Sequence, residues 1–215
     1  MSDSVTFSDL ATAAYCPRQL YYRRRDDDRG LPESVERTQA LAHEYPTLVE
    51  ASDTALAGLV VPKPAEYRAR LGAVMTRWPA LVAPAETDVL LTGKDCRGMV
   101  AKVLSDPLAP TLVSPGNPPE QGVWEPQKVR AVAAAKALAW REEESVSRAY
   151  VEYPRHGVVR EVTVSTRAKA AYRRVLRTVR RMDGPPSRLG DDAKCGACEY
   201  RTECGVRTRT LASLL

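Results

Sequence analysis

The sequence predicts an α/β fold, and three observations support this. Short apolar runs rich in β-branched residues lie between Asp88 and Val113 and are separated by Gly and Pro turns. The Ala- and Leu-rich segment from Glu125 to Glu144 has Pro126 at its start and is typical of a helix. Apolar and polar residues then alternate over 150–154 and 158–164, which predicts a β-hairpin.

One domain spanning residues 1–215 is expected, with a small mixed sheet at about 88–164 as its core and helices around it. The other helical segments are 10–16, a new helix from Pro17, 32–50, 63–78 and 166–182. Ser165 or Thr166 caps the last of these, and its apolar face lies opposite its arginines.

The composition excludes several classes of protein. The 215 residues are 44% hydrophobic and 27% charged, which is typical of a globular protein and not of a disordered or fibrous one. The apolar stretch from Ala131 to Trp140 contains Lys136 and is too short to span a bilayer. The first residues have no signal-peptide pattern. We therefore expect a cytoplasmic protein with no membrane partner.

Arginine is concentrated in two places along a chain whose net charge is +5. One is the run Arg23, Arg24 and Arg25, and the other extends from Arg167 to Arg181. Basic patches of this kind suit an anionic partner. The alternative is that they are solvated faces without a partner.

The cysteines indicate a metal centre. A cytosolic chain with five clustered cysteines is a poor candidate for disulfides. Cys195, Cys198 and Cys204 form a Cys-x2-Cys-x5-Cys arrangement, and Cys16 is a better fourth ligand than Cys96, which lies among predicted strands. Four thiolates suit either a 4Fe-4S cluster or structural zinc, and spacing alone does not separate the two.

Such a centre would join the two chain ends, residues 7–25 and 191–205. The C-terminal segment has few core residues, so we expect a metal to order it. Because the ligands are separated by most of the chain, the centre would close a very long loop and stabilise the fold by several kcal/mol.

The run Cys-Pro-Arg-Gln-Leu-Tyr-Tyr at 16–22, together with the three distal cysteines, resembles the CRISPR-associated RecB-like exonuclease family. The resemblance extends from about Phe7 to Gly205. It implies a PD-(D/E)xK restriction-endonuclease-like core that cuts DNA with Mg or Mn. It also implies a 4Fe-4S cluster on Cys16, Cys195, Cys198 and Cys204, and so favours iron–sulfur over zinc.

The family's nuclease residues are only partly present. His43 matches the family's helical His, and Gln127 matches the Gln of its Gln-x-x-x-Tyr helix. The positions of the metal-binding Asp, the Glu, the Lys and the Tyr are occupied by Ala101, Val113, Pro115 and Ala131. Without the carboxylates and the Lys, a catalytic metal has no evident ligands at the usual site. The candidate replacements for these groups are Asp95, Asp106, Glu125 and Lys128.

Three functions follow as hypotheses. The first is a nuclease-inactive subunit that binds DNA or assembles with CRISPR integrase proteins. Its phosphate contacts would come from Arg18, Arg23, Arg24, Arg25 and the arginines of 166–181. The second is an active single-strand DNA exonuclease that uses Mg or Mn through relocated carboxylates. The third is a redox protein in which the cluster is the working part.

Overall fold

A mixed β-sheet lies at the centre of the structure, a computed structural model that describes residues 5–26, 30 and 32–205. Within these residues the sheet has six strands: β1 (Val5–Thr6), β2 (Glu86–Thr92), β3 (Cys96–Ser105), β4 (Leu108–Val113), β5 (Arg148–Tyr153) and β6 (Val158–Thr163). The predicted α/β class is confirmed. The ends of the predicted domain, 1–4 and 206–215, lie outside the described residues.

The helices surround this sheet. In chain order they are α1 (Phe7–Tyr15), α2 (Pro17–Arg23), α3 (Glu33–Leu41), α4 (Tyr45–Glu50), α5 (Asp53–Leu56), α6 (Pro64–Arg77), α7 (Glu125–Glu142), α8 (Thr166–Arg180) and α9 (Asp192–Gly196). Two short 3-10 helices, Pro79–Leu81 and Pro154–His156, complete the set within the described residues.

The strands are connected in two ways. β2, β3 and β4 form an antiparallel meander, in which Leu90 lies opposite Met99. β4 and β5 run parallel, with Leu112 opposite Val151, and α7 provides the crossover that parallel strands require. β5 and β6 form the predicted antiparallel hairpin. Gly157 in its turn has a φ of 60°, a conformation that favours glycine.

Helix α7 packs closely against the sheet because most of its buried residues are small. Its buried residues are Val129, Ala131, Val132, Ala133, Ala134, Ala135, Ala137 and Leu138. A Cβ atom on Gly93, in the turn between β2 and β3, would lie 2.7 Å from the Ala137 Cα atom. Only glycine therefore fits where this turn meets the helix.

Helix α1 is fixed to the sheet at its first turn. The Thr6 side chain caps the helix by accepting a hydrogen bond of 3.0 Å from the Asp9 amide. The Phe7 ring covers Gly98 of β3 so closely that a Cβ atom there would collide with it. This anchoring holds Cys16, the residue after α1, at a defined place beside the sheet.

Two apolar clusters lie on opposite faces of the sheet. Leu112 belongs to the cluster that contains α1, α7 and α8, whereas its neighbour Val113 packs with residues of α3, α4 and α6. Successive residues of a strand point to opposite faces, so the N-terminal helices α3–α6 cover the face that α7 leaves free.

The structure corrects two expectations. The segment 32–50, predicted as one loosely helical stretch, is divided into α3 and α4 by a turn at Ala42 to Glu44. Pro46 lies in the first turn of the second helix, because proline fits the first turn of a helix and not its interior. Strand β1 was not predicted, since two residues give no periodic signal. Among the described helices, none has the length and apolar character needed to cross a bilayer.

Candidate metal centre and nuclease-related positions

Cys16 lies at the junction of two helices near the N-terminus. It follows the last residue of α1, and its amide donates a hydrogen bond of 2.8 Å to the Thr12 carbonyl. Pro17 then begins α2. The extended backbone of Cys16, with φ −156° and ψ 112°, separates the two helices and leaves the residue partly exposed.

The other three cysteines lie in the short C-terminal segment. Asp191 caps α9 by accepting a hydrogen bond of 3.1 Å from the Lys194 amide, and Cys195 lies within this helix. Hydrogen-bonded turns follow, in which the Cys198 amide donates to the Cys195 carbonyl. In a later turn the Cys204 amide donates a hydrogen bond of 2.9 Å to the Tyr200 carbonyl. Local turns therefore gather the three thiols.

All four cysteines, Cys16, Cys195, Cys198 and Cys204, line one cavity of about 20 Å³. Their thiols are free. Burial raises the pKa of Cys198, against a backbone hydrogen bond from Tyr200, and the nearby thiols of Cys16 and Cys204 raise it further. Thiolates packed this closely repel each other unless a cation neutralises them.

This donor set fits a soft metal centre in its chemistry, because it consists of four thiols from both ends of the chain. Within the described ranges, no three His, Cys, Asp or Glu side chains are already placed to hold a metal ion. The thiols are thus gathered around one cavity without being arranged around one metal position. Iron–sulfur and zinc both remain compatible with these donors.

The chain ends also contact each other directly around this cavity. Tyr22 donates a hydrogen bond of 3.0 Å to the Glu203 carbonyl, and its ring stacks on Tyr200 with centroids 6.1 Å apart. Arg18 donates to the Pro186 carbonyl over 2.9 Å. These polar and aromatic contacts join the two chain ends around the cavity.

Cys96 lies away from the cavity, at the first residue of β3. It is 2% exposed, and its Sγ atom lies 3.4 Å from the Tyr172 hydroxyl. Burial raises the pKa of Cys96, so the thiol stays protonated at neutral pH. The structure therefore leaves Cys96 out of the four-cysteine set, as the sequence predicted.

The arginines predicted to bind DNA near the cysteines are engaged within the protein. Arg18 contacts the C-terminal segment, as described above, and Arg23 donates to Thr12 Oγ1 over 2.9 Å. Arg24 pairs with Asp9 at 2.9 Å, and the Arg25 guanidinium lies 5.2 Å from the Tyr21 ring. These side chains have structural partners before any phosphate approaches.

Helix α8 presents a larger basic surface. It has no acidic residue, and its cations are Arg167, Lys169, Arg173, Arg174, Arg177 and Arg180. Arg180 pairs with Asp95 at 3.0 Å, and the described residues provide no ion pair for the others. All six are exposed. Their apolar neighbours Tyr172, Leu176 and Val179 are buried, so the helix has a core face and a strongly basic outer face.

A groove of about 660 Å³ runs between α8 and the start of α7, and we call it the α8 groove. Its lining contains three cations, Lys128, Arg167 and Arg174, and two carboxylates, Glu125 and Glu161. Lys128 pairs with Glu125, which leaves Arg167 and Arg174 as its cations on α8. A smaller cavity of about 270 Å³ shares Arg174 with the groove and shares Lys194 with the cysteine cavity. The smaller cavity therefore lies between the basic helix and the cysteine cavity.

Gln127, which the resemblance matches to the family's helix Gln, has internal partners. Its Nε2 atom donates to Ser114 Oγ over 2.6 Å, and its Oε1 atom accepts from the Tyr153 hydroxyl over 2.5 Å. Oε1 also accepts from the Trp124 amide. Burial raises the pKa of Tyr153 to about 12, so this hydroxyl remains a donor. Gln127 thus ties the first turn of α7 to the ends of β4 and β5.

The positions that lack the family's catalytic residues have apolar surroundings. Val113 is 5% exposed and packs with α3, α4 and α6, and Ala101 packs against the same cluster. Ala131 is wholly buried under α1 and the sheet. Pro115 is exposed in the loop after β4. None of these side chains can bind a cation.

Sequence reasoning missed a buried polar network next to these positions. Both carboxylate oxygens of Glu152 are used: Oε2 accepts from Lys102 Nζ at 2.9 Å and from the Tyr45 hydroxyl at 2.7 Å, and Oε1 accepts from the Thr111 hydroxyl. Burial, and then Glu152, raises the pKa of Tyr45. The four residues are almost wholly buried, so the network holds the sheet together and does not face a substrate.

A second pair that the sequence analysis missed joins His43 to Asp88. The distance between His43 Nε2 and Asp88 Oδ1 is 3.4 Å. The pairs Thr87–Lys102 and Val89–Val100 place Asp88 opposite Ala101, the position of the missing Asp. Asp88 has a φ of 51°, which is uncommon for a residue other than glycine. The sequence analysis predicted short strands in this region but no register between them, so it gave no signal for this pair.

The replacement groups suggested by the sequence lie elsewhere. Asp95 and Asp106 occupy the turns at the two ends of β3, about 15–20 Å along the strand from Ala101. Glu125 and Lys128 pair with each other at 3.5 Å on the surface of α7. The structure therefore brings none of these four to the missing Asp position.

Comparisons with known proteins give little further information. No protein-family model matches the sequence, and no curated protein matches it. A solved structure described as "Crystal structure of SSO0001" aligns with 97% of this chain and 89% of its own, with 12% identity and a TM-score of 0.46. A likeness of this size carries no argument about fold or function.

Proposed function

We propose that this protein is a nuclease-like iron–sulfur protein that binds DNA without cutting it at the usual site. The proposal keeps the resemblance to the CRISPR-associated RecB-like exonucleases and their PD-(D/E)xK core. In this role the protein holds DNA or joins the machinery that inserts new spacers.

The gathering of four free thiols around one cavity is the observation that carries the proposal. Cys16 would bind the cluster from the N-terminal side, and Cys195, Cys198 and Cys204 from the C-terminal side. When bound, the cluster supplies covalent cross-links between the two ends. The protein's own part is to position the thiols through α1, α9 and the Tyr22–Tyr200 stack.

The absence of catalytic side chains supports the inactive part of the proposal. Ala101 and Val113 contribute to an apolar cluster where the family has carboxylates. A two-metal reaction needs oxygen ligands that hold the ions and activate water. Methyl groups at these positions provide none.

The α8 groove is the surface that we assign to DNA. Exposed arginines without ion pairs cost nothing to redirect towards a phosphate, whereas Arg23 and Arg24 would first have to leave Thr12 and Asp9. Several cations on one helix face follow a backbone of repeated negative charges. Arg18, Arg23, Arg24 and Arg25 are therefore secondary contacts at most.

The test begins with anaerobic purification, a visible absorption spectrum and analysis of iron and zinc. The same sample is then mixed with labelled single-stranded DNA and Mn²⁺, and both binding and cleavage are measured. A brown, iron-containing protein that binds DNA and leaves it intact supports the proposal. A colourless zinc protein contradicts the iron–sulfur assignment, and an iron protein that does not bind DNA contradicts the DNA-binding role.

The contact between His43 and Asp88 favours a second candidate, a metal-dependent exonuclease with a relocated carboxylate. Asp88 would replace the missing Asp from the neighbouring strand. If the sample cuts DNA with Mn²⁺, the D88N variant should lose this cleavage. The matched control D106N changes an exposed turn carboxylate and should retain it.

A further inference from the structure

A cavity of about 200 Å³ lies where β4 ends beside the first turn of α7. Its lining residues are Ala11, Leu112, Val113, Ser114, Pro115, Pro126, Gln127, Arg130 and Val151. The lining contains no acidic side chain. Most of the walls are apolar, so the few polar groups present determine what the cavity accepts.

Arg130 is the only charged residue in this lining. Its Nε atom is buried without a hydrogen-bond partner, and its Nη1 atom has a single long contact of 3.5 Å with the Val113 carbonyl. Burial lowers the pKa of Arg130, although the residue as a whole keeps some exposure, and no carboxylate among the described residues pairs with it.

Two other arginines show what such compensation looks like. Arg24 pairs with Asp9, and Arg141 on the same helix as Arg130 pairs with Glu86 and Glu142. Removing a cation from water without a counter-charge is costly. A guanidinium that opens onto a cavity avoids this cost when an anion enters.

Ser114 provides a second donor to the same cavity. Its Oγ atom accepts a hydrogen bond from Gln127 Nε2, while Gln127 Oε1 is occupied by Tyr153 and Trp124. The described part of the chain offers no acceptor for the Ser114 hydroxyl hydrogen. The residue is 7% exposed, so bulk solvent has little access to this hydroxyl. A buried donor without an acceptor is uncommon in proteins.

We propose that this cavity binds a phosphate group, with Arg130 and Ser114 as its ligands. The guanidinium offers a charged fork, and the serine adds a neutral donor. The positive end of the α7 helix dipole favours the same sign of charge. The phosphate is either free in solution or the terminal phosphate of a nucleic acid strand. The site does not rest on the DNA-binding role of α8.

The experiment measures the melting temperature of the full-length protein in rising inorganic phosphate, against chloride at matched ionic strength. Phosphate should raise the melting temperature of the wild type. R130M should lose this response, and S114A should weaken the apparent affinity about tenfold, as expected for one hydrogen bond to a charged group. R37Q, which removes an exposed cation far from the cavity, should respond as the wild type does.

The proposed phosphate site would be contradicted if phosphate and chloride shifted the melting temperature equally, or if R130M kept the wild-type response to phosphate. If R130M fails to fold, the wild-type titration and S114A decide the matter. Oligonucleotides with and without a 5′-phosphate then separate the two sources. If the protein prefers the phosphorylated strand and R130K reduces this preference, the site binds the end of a nucleic acid strand. If both strands bind equally, the site binds free phosphate.

Discussion

Lys102 Nζ lies 2.9 Å from Glu152 Oε2, and both side chains are at most 1% exposed. The pair connects β3 to β5 across β4, whose Thr111 also donates to Glu152. It lies next to Ala101, the position where the resemblance expects a catalytic Asp. Beside that position, the charges of Lys102 and Glu152 therefore neutralise each other inside the protein.

The K102M variant should be strongly destabilised. Removing the ammonium leaves the Glu152 carboxylate buried without its counter-charge, which costs about 3–5 kcal/mol of unfolding free energy. Urea denaturation measures this loss. The double variant K102M/E152Q should recover part of it, because the amide is neutral and its oxygen still accepts a hydrogen bond. A loss below about 1 kcal/mol in K102M would show that the pair contributes little.

The C195S variant should lose the metal centre. A serine hydroxyl is a poor ligand for a soft metal, so the metal content per chain and the melting temperature should both fall. Elemental analysis and calorimetry measure the two effects. The matched control is C96A, which removes the buried cysteine outside the cavity and should retain the metal. Equal metal content in both variants would contradict the four-cysteine centre.

The double variant R167Q/R174Q should weaken DNA binding by removing two cations from the α8 groove. If each contacts one phosphate of a single strand, the slope of log K against log salt should become about 1.4 less steep. Titrations at several salt concentrations measure this slope. R25Q should change it less, because Arg25 lies against Tyr21. The opposite order of effects would place the DNA at the N-terminal arginines.

Substitutions of Asp88 should separate backbone strain from charge. The residue has a φ of 51°, so D88V should cost about 1–2 kcal/mol of unfolding free energy. D88N tolerates this conformation and removes an exposed pair, so its change should stay within about 1 kcal/mol. Urea denaturation compares the two. A neutral D88V would mean that the strand relaxes to an ordinary conformation.

His156 should make the protein less stable in mild acid. Burial, followed by the charges of Arg155 and Arg70, lowers the pKa of His156 in the folded state. The unfolded chain therefore binds the proton more readily. The contribution of neutral His156 to the free energy of unfolding is complete above about pH 6.5 and decreases as the pH falls. Melting temperatures from pH 8 to pH 5 measure the trend. The difference between wild type and H156Q should change over this range, and a constant difference would exclude His156.

Much of the architecture is predictable from local patterns. The structure contains α6, α7 and α8 and the β5–β6 hairpin close to their predicted bounds, because each has a continuous periodic signal. Strand β1 has two residues and depends on pairing with β3, so no local signal exists for it. Pro46 was the local signal for the division between α3 and α4. The loosely helical pattern of residues 32–50 concealed this signal.

Long-range pairs account for what the sequence left open. Lysine and glutamate usually lie on the surface, so the sequence alone gives no sign that Lys102 and Glu152 form a buried pair. Only the order of the strands brings the two side chains together. The same holds for His43 and Asp88, which belong to different layers. Charged residues read in isolation are usually solvated, so their burial or pairing is not visible in a window of neighbouring residues.

By itself, the sequence determined the α/β class, the types of most elements and the set of cysteines suited to a soft metal. These depend on hydrophobic periodicity, proline and glycine positions and residue chemistry, all of which act over a few residues. Only the tertiary structure decided that Arg23 and Arg24 are engaged, that Arg180 is the one α8 arginine with an ion pair among the described residues, and that Arg130 opens onto a cavity. Such facts depend on which distant segments pack together, because burial and ion pairing are set by the neighbours that folding supplies.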